Sequence, residues 1–217
     1  FAEIARRHDM ALYVSTSPSC PWPADSYTGD PGQGRGKACI DNHDLTYGSL
    51  IDRIDPEIVV AAGYPRTMGM GSAIRTTRED LAGRDSAELV EVLSNDSIDT
   101  FVAGGRRIVL VEPVPLPTGN RPDQLACLSE STFVERCVNE AALSEVEEGV
   151  YRDLARNSSS VMAIDLDRLV CPELPLCAPI VDGVVVRTDT DHLSVSFVKT
   201  LVGPIEALMI GEGFIAS

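Results

Sequence analysis

Short apolar runs alternate with amphipathic stretches along most of the chain. Glu57 to Ala62 and Arg107 to Val111 are near-continuous apolar runs, which are typical of parallel strands buried on both faces. Ala11 to Ser15 and Val161 to Asp165 predict two further strands. Four buried strands separated by helices predict an α/β protein with a doubly wound parallel sheet, in which ligands bind at the carboxyl ends of the strands.

The stretches between these runs predict helices. They cover the first residues from Phe1, Asp41 or Asn42 to Ile54, Ser86 to Gly104, Thr132 to Arg156, and Ser194 to Met209. A small ribbon is expected around Asp182-Gly183. Because no break divides two cores, residues 1–217 are expected to form a single domain. The opening helix lacks a capping residue, so we expect the domain to be N-terminally incomplete and preceded by further chain.

Composition and charge exclude several classes of function. The chain is 44% hydrophobic and 24% charged, and no apolar run is long enough to cross a bilayer. Its 18 Lys and Arg oppose 33 Asp and Glu, which gives a net charge of -15. Such a charge repels nucleic acid phosphates, so no nucleic acid partner is expected. The sequence has no glycine-rich phosphate-binding motif, and no cofactor is expected.

The cysteines indicate an oxidising compartment. They fall into three sequence-local couples: Cys20 with Cys39, Cys127 with Cys137, and Cys171 with Cys177. Spacing favours three local disulfides, although six cysteines allow many other pairings and reduced core cysteines are the alternative. Disulfides of this kind persist mainly outside the cytosol, which predicts an extracytoplasmic location.

One segment has catalytic character. Arg187 to Ser194 (RTDTDHLS) lies between the predicted ribbon and the last helix, and Asp189 and His192 are three residues apart across a turn. A histidine that acts as a general base needs a carboxylate to fix its tautomer, and this spacing offers one. The alternative is a polar helix-capping turn with a solvated histidine. No further cluster with ligand spacing supports a metal site, so none is expected.

Several motifs together resemble the SGNH hydrolase-like domains fused to bacterial acyltransferase-3 (AT3) membrane proteins. They are Cys171-Pro-Glu-Leu-Pro-Leu-Cys177, Val181 to Arg187, Asp189-Thr-Asp-His192-Leu-Ser194, Ser17-Pro-Ser-Cys20-Pro-Trp22, Asp55 to Gly63, and Glu112-Pro-Val-Pro115 followed by Cys127. These motifs span nearly the whole chain in the order of the family.

The resemblance implies a flavodoxin-like three-layer sandwich on the outer face of the membrane. Members of the family pass acyl groups, often acetyl, to hydroxyls of cell-envelope glycans through a Ser, His, Asp triad. Carried over, Asp189 would be the triad aspartate and His192 its base. The partners implied are an AT3 membrane domain, expected on the same polypeptide, and a glycan acceptor.

Two departures from the family pattern concern the nucleophile and the oxyanion contact. The family serine belongs to a Gly-Asp-Ser motif at the end of the first strand, and this chain contains no such motif. We therefore expect an upstream segment to supply the first strand and the serine. Where classical members have Gly-x-Asn-Asp, this chain has Gly63-Tyr-Pro65-Arg66. Proline has no N–H and no side-chain donor, which leaves the N–H of Gly63, or Arg66, as the oxyanion candidates.

The sequence leaves three functions open. The first is an O-acyltransferase or esterase domain whose serine lies upstream. The second is a non-catalytic SGNH-like binding module in an envelope complex, and the third is a secreted esterase without a membrane domain. An intact Asp189 and His192 favour the first, because a module that only binds has no need of that pair.

Overall fold

The computed structural model describes residues 1–68, 73–118 and 123–216. Its α-helices are α1 (Ala2–Arg7), α2 (Gly34–Leu45), α3 (Ile51–Ile54), α4 (Ser86–Ala103), α5 (Gln124–Glu130), α6 (Glu145–Asn157), α7 (Asp167–Val170), α8 (Val195–Thr200) and α9 (Val202–Gly211). Its strands are β1 (Ser26–Tyr27), β2 (Ile58–Ala62), β3 (Arg75–Thr76), β4 (Arg107–Val111), β5 (Leu116–Pro117), β6 (Asn139–Ala142), β7 (Val161–Ile164), β8 (Leu176–Cys177), β9 (Ile180–Val181) and β10 (Val184–Val185).

The chain divides into two compact units, which we name after their larger sheets. The parallel-sheet unit comprises Tyr13–Pro113 and Ser144–Ile164, and it contains the sheet β2-β4-β7. The antiparallel-sheet unit comprises Phe1–Leu12, Val114–Leu143 and Asp165–Ser217, and it contains the sheet β5-β6-β8. A single SGNH-like domain over residues 1–217 stays a prediction.

The parallel sheet confirms the α/β class predicted from the apolar runs. Strand β4 lies between β2 and β7, and both neighbours run parallel to it. Ile108, Val109 and Leu110 of β4 are fully buried, as expected of the central strand of a parallel sheet. Parallel strands need long crossovers, and α4 and α6 lie in the connections from β2 to β4 and from β4 to β7.

Helices α4 and α6 provide much of the core on this sheet. Asp85 precedes α4 and forms a capping box with Glu88, which satisfies two backbone N–H groups at the start of the helix. Ile98 and Phe101 of α4 and Leu154 of α6 are buried in one cluster with residues of the parallel strands.

The predicted strand at Ala11 to Ser15 is wrong. These residues form no strand, and Tyr13 and Val14 are 67% and 72% exposed. An apolar run becomes a strand only when a neighbouring strand accepts its backbone hydrogen bonds. In the part of the chain that the structure describes, no strand pairs with this segment.

The predicted helix from Thr132 to Arg156 is correct only in its second half. Val134–Cys137 is a 3-10 turn, Asn139–Ala142 is strand β6, and only Glu145–Asn157 is helical. Strand β6 pairs antiparallel with β5 on one side and β8 on the other. Tertiary pairing therefore overrides the helical preference of this segment.

Two other helices differ in their bounds. Helix α2 begins at Gly34, earlier than the predicted Asp41 or Asn42, and continues through a π-helical turn at Thr46–Leu50 into α3. The predicted last helix is two helices, α8 and α9, which meet at Leu201. None of the described helices is long and apolar enough to cross a membrane.

The structure contains three disulfides, which join the couples that spacing favours. They are Cys20–Cys39 in the parallel-sheet unit, and Cys127–Cys137 and Cys171–Cys177 in the antiparallel-sheet unit. The predicted ribbon is the hairpin β9-β10. Its turn residues Asp182 and Gly183 both have positive φ, as a two-residue hairpin turn of type I′ requires.

Candidate active site

The segment from Arg187 to Leu193 forms a closed turn in the antiparallel-sheet unit, between β10 and α8. Arg187 and Leu193 form a β-bridge at its base. The N–H of Thr188 donates to the carbonyl of His192, at 3.0 Å. This pairing brings Asp189 and His192 to the same end of the turn.

Asp189 bonds both the backbone of this turn and the ring of His192. Its Oδ1 accepts the N–H groups of Asp191, at 3.0 Å, and of His192, at 2.7 Å. Its Oδ2 lies 2.8 Å from His192 Nδ1. An ionised carboxylate only accepts hydrogen bonds, so Nδ1 carries the proton and the neutral ring presents Nε2 as a base.

The surroundings of the pair favour a negative charge on Asp189 and a positive charge on His192. The hydrogen bond to Asp189 and the charges of Asp189 and Asp191 raise the pKa of His192. Burial acts to raise the pKa of Asp189, but hydrogen bonds from the backbone N–H groups of His192 and Asp191 and from the ring outweigh it and lower the pKa to about 2. The carboxylate is therefore ionised throughout the neutral range and stabilises an imidazolium ion.

The His192 ring is accessible to a reaction partner. Its side chain is 75% exposed, whereas that of Asp189 is 44% exposed. This arrangement leaves the imidazole held by one nitrogen and open at the other. It can accept a proton from a hydroxyl group and later return it.

The side chain of Arg187 is hydrogen-bonded to the backbone of this turn. It is 3% exposed and donates from Nη1 to the carbonyl of Asp191, at 3.0 Å, and from Nη2 to the carbonyl of Pro115. Because this buried guanidinium bonds two carbonyl groups, it connects the backbone of the turn to Pro115, the residue that precedes β5. Arg187 ends the sequence motif Val181 to Arg187, but the motif by itself indicates no role for it.

Ser194 is the serine nearest to His192 in sequence, but its hydroxyl group already has two partners. The hydroxyl donates to the carbonyl of Val185, at 2.5 Å, and accepts the N–H of Phe197, at 3.0 Å, as the N-cap of α8. A hydroxyl with both functions is poorly placed to be the nucleophile that His192 deprotonates.

The other two histidines, which the sequence indicates to be structural or solvated, both have partners within the fold. His8 Nε2 lies 2.9 Å from Glu206 in the antiparallel-sheet unit. His43 is buried beside the Cys20–Cys39 disulfide, with Nε2 at 3.3 Å from Cys20 Sγ.

The structure places the two oxyanion candidates directly after β2, in the parallel-sheet unit. Gly63 is the first residue beyond the strand, and a side chain there would contact Trp22 at 3.5 Å. The N–H of Arg66 donates to Glu147 at 2.6 Å, so the backbone of Arg66 is already bonded. Only the N–H of Gly63 and the guanidinium of Arg66 remain as candidate donors.

The Arg66 guanidinium is partly buried. It lies over the ring of Tyr64, 5.4 Å from the ring centre, and burial lowers the pKa of Arg66. A guanidinium withdrawn from water interacts more strongly with a negative charge than an exposed one does.

Comparisons with known proteins agree with this fold. The family model described as "SGNH domain (fused to AT3 domains)" matches residues 1–207. The periplasmic domain of a lipopolysaccharide acetyltransferase from Salmonella ser. Paratyphi A has a similar structure, with a TM-score of 0.54 and 14% identity over 96% of this chain and 77% of that one. No curated protein matches the sequence. Since the family model matches almost the entire chain, the chain belongs to the family of SGNH domains that are fused to AT3 domains.

Proposed function

We propose that this chain is the SGNH domain of an O-acyltransferase, which transfers an acyl group, in the simplest case acetyl, to hydroxyls of a cell-envelope glycan. The observation that carries the proposal is the bond between Asp189 Oδ2 and His192 Nδ1, which leaves Nε2 as a base on an exposed ring. Three disulfides support an extracytoplasmic location.

In the proposed mechanism a serine completes the triad. His192 Nε2 takes the proton of the serine hydroxyl as its oxygen attacks the acyl carbonyl, and Asp189 stabilises the imidazolium ion. The imidazolium returns the proton to the leaving group, and an acyl-serine forms. The glycan hydroxyl then gives its proton to Nε2 and attacks the acyl-serine, and the serine recovers its proton from His192.

We propose that a segment upstream of Phe1 supplies this serine together with a further strand. In the part of the chain that the structure describes, β2 is an edge strand, and its residues Ile58 to Val60 are only half-buried. Exposed backbone and apolar groups on an edge strand favour pairing with another strand. The exposed apolar side chains of Tyr13 and Val14, in the same unit, also support an additional element.

We propose that an AT3 membrane domain on the same polypeptide is the partner that provides the acyl group. The family to which the chain belongs is described by its fusion to AT3 domains, which supports this arrangement. The acceptor is then a glycan on the outer face of the membrane, within reach of the exposed His192.

The test compares two proteins, the 217 residues alone and a longer natural segment that includes the upstream strand and a Gly-Asp-Ser motif. The short form should hydrolyse a small activated ester only at the residual level of an enzyme without its serine, roughly 10³ to 10⁴ over water. The longer form should turn over the ester much faster, and His192→Ala in it should abolish that gain.

The competing function, a non-catalytic binding module, gives a different result. It requires no ester turnover from either protein, because it assigns no chemical step to His192. Rapid turnover by the 217 residues alone would contradict the proposed source of the nucleophile and would place a serine within this chain.

A further inference from the structure

Glu147 is a buried carboxylate with an unusual set of partners. It lies in the first turn of α6 and is 3% exposed. Its Oε1 accepts the N–H groups of Arg66, at 2.6 Å, and of Thr67, at 2.9 Å. Its Oε2 accepts the hydroxyl groups of Thr67 and Ser144. Four hydrogen bonds therefore converge on one carboxylate.

Three of these four bonds come from the segment that follows β2. Glu147 thus joins two parts of the parallel-sheet unit that are distant in sequence, the start of α6 and the segment from Gly63 to Thr67. A negative charge is favourable in the first turn of a helix, and hydrogen bonds to a charged acceptor are stronger than neutral ones. Both effects stabilise the segment in one conformation.

The backbone of this segment is held by a residue outside it. Pro65 has no N–H, and the N–H groups of the next two residues donate to Glu147 instead of to a turn of their own. The position of the Arg66 guanidinium therefore depends on a backbone that Glu147 fixes.

We propose that Glu147 is a positioning residue for the acyl-transfer reaction. It holds the segment after β2, and with it the two candidate oxyanion donors, the Gly63 N–H and the Arg66 guanidinium, at the carboxyl end of that strand. This inference rests on the proposed function. It assigns no contact between Glu147 and the substrate.

The adjacent residue Glu148 offers a matched control. It is 2% exposed, lies in the same helical turn, and accepts the N–H of Ser144 at 2.9 Å and a bond from Arg152 at 3.3 Å. Neither of these two partners belongs to the segment after β2. Glu147→Gln and Glu148→Gln therefore make the same chemical change at equally buried sites, but only the first replaces the acceptor of the Arg66 and Thr67 N–H groups.

The first experiment measures amide hydrogen exchange in the full-length protein, that is, the natural polypeptide that contains this chain and its upstream segment. In Glu147→Gln, the amides of Arg66 and Thr67 should exchange at least ~10-fold faster than in the wild type, because a neutral amide is a weaker acceptor. In Glu148→Gln they should keep their wild-type rates. Unchanged rates in Glu147→Gln, or equal acceleration in both variants, would overturn the proposal.

The second experiment measures acyl transfer by the same full-length proteins. Glu147→Gln should lower kcat about 10- to 100-fold, less than the loss from removing an oxyanion donor itself, with little change in KM for the acceptor. If Glu147 acts through Arg66, adding Glu147→Gln to Arg66→Met should cause little further loss. Additive losses, or a kcat equal to that of the wild type, would overturn the positioning role.

The two experiments separate this inference from the proposed function. If the full-length wild type transfers no acyl group, the proposed function fails. The exchange rates of Arg66 and Thr67 then decide alone whether Glu147 holds the segment.

Discussion

The carboxylate of Asp189 bonds both the backbone of its own turn and the ring of His192. Oδ1 accepts two backbone N–H groups and fixes the turn, while Oδ2 bonds the ring of His192. The alternative interpretation, a polar capping turn with a solvated histidine, does not require the second contact. In fact the cap of α8 is Ser194, so Asp189 and Asp191 are not needed for that purpose.

The contact between Asp189 and His192 predicts the titration of the ring. In the wild type the pKa of His192 should lie above its ordinary value of 6.5. Asp189→Asn should lower this pKa, because the ring loses its hydrogen bond to a charged carboxylate, and NMR titration of the ring protons measures both values. Asp191→Asn, which removes only a more distant charge, should lower the pKa less.

The same shift has a consequence for stability. Since the folded-state pKa of His192 is raised, its contribution to folding is fully present below pH 6.5 and is lost as the pH rises through the folded-state value. An equal pKa in wild type and Asp189→Asn would contradict the assigned bond.

Metal removal should leave the pair unchanged. Asp189, Asp191 and His192 offer ligand atoms within 4.8 Å of one another, so a metal site is a specific alternative to the proton-transfer pair. If the pair acts by proton transfer, treatment with EDTA should alter neither the pKa of His192 nor the ester turnover of the longer protein. Adding Zn²⁺ back after EDTA serves as the control, and restored activity would contradict the assignment.

At the scale of elements, helix α4 depends on a well-formed N-terminus. The Glu88 N–H donates to Asp85 Oδ1 at 2.9 Å, and the Glu88 side chain accepts the N–H of Asp85 at 3.3 Å. Such reciprocal bonds satisfy N–H groups that have no partner within the helix.

Asp85→Ala should lower the free energy of unfolding by about 1 kcal/mol, the usual effect of losing an N-cap. Urea unfolding followed by circular dichroism measures the change. Asp99→Ala, at an exposed position within the same helix, is the control and should change stability by less than about 0.5 kcal/mol. A loss at Asp99 equal to that at Asp85 would contradict the capping role.

The buried Glu147 also illustrates why the sequence did not reveal every site residue. Helix α6 begins at Glu145, whereas the apolar spacing predicts a helix from Thr132. Within a helix starting at Thr132, Glu147 would be an ordinary mid-helix residue. The run Glu145-Val-Glu147-Glu148 is a usable signal, because acidic residues concentrate in the first turn of helices.

At the scale of the whole molecule, three disulfides should stabilise the fold, each within one of the two units. The protein purified from an oxidising compartment should have no reactive thiol under denaturing conditions, and six after reduction. Each disulfide should contribute about 2 to 4 kcal/mol through the entropy of the unfolded chain. Thiol titration and unfolding with and without reductant measure both effects, and six reactive thiols before reduction would contradict the disulfides and the extracytoplasmic location.

The sequence by itself determined the α/β class and the strands β2, β4 and β7, and it favoured the disulfide couples and the Asp189–His192 pair. These features depend on local information, because a continuous apolar run, a short cysteine separation and a three-residue spacing all act within one stretch of chain.

Other features follow only from the tertiary structure. They are the exposure of Ala11 to Ser15, the strand at Asn139–Ala142, and the hydrogen-bonding roles of Arg187 and Glu147. In each case the decisive partner is distant in sequence. Strand β6 exists because it pairs with β5 and β8, and Glu147 is significant because Arg66 and Thr67 donate to it from 81 and 80 residues away. Local patterns carry no information about such partners, because backbone and carboxylate hydrogen bonds are satisfied only after the chain has folded.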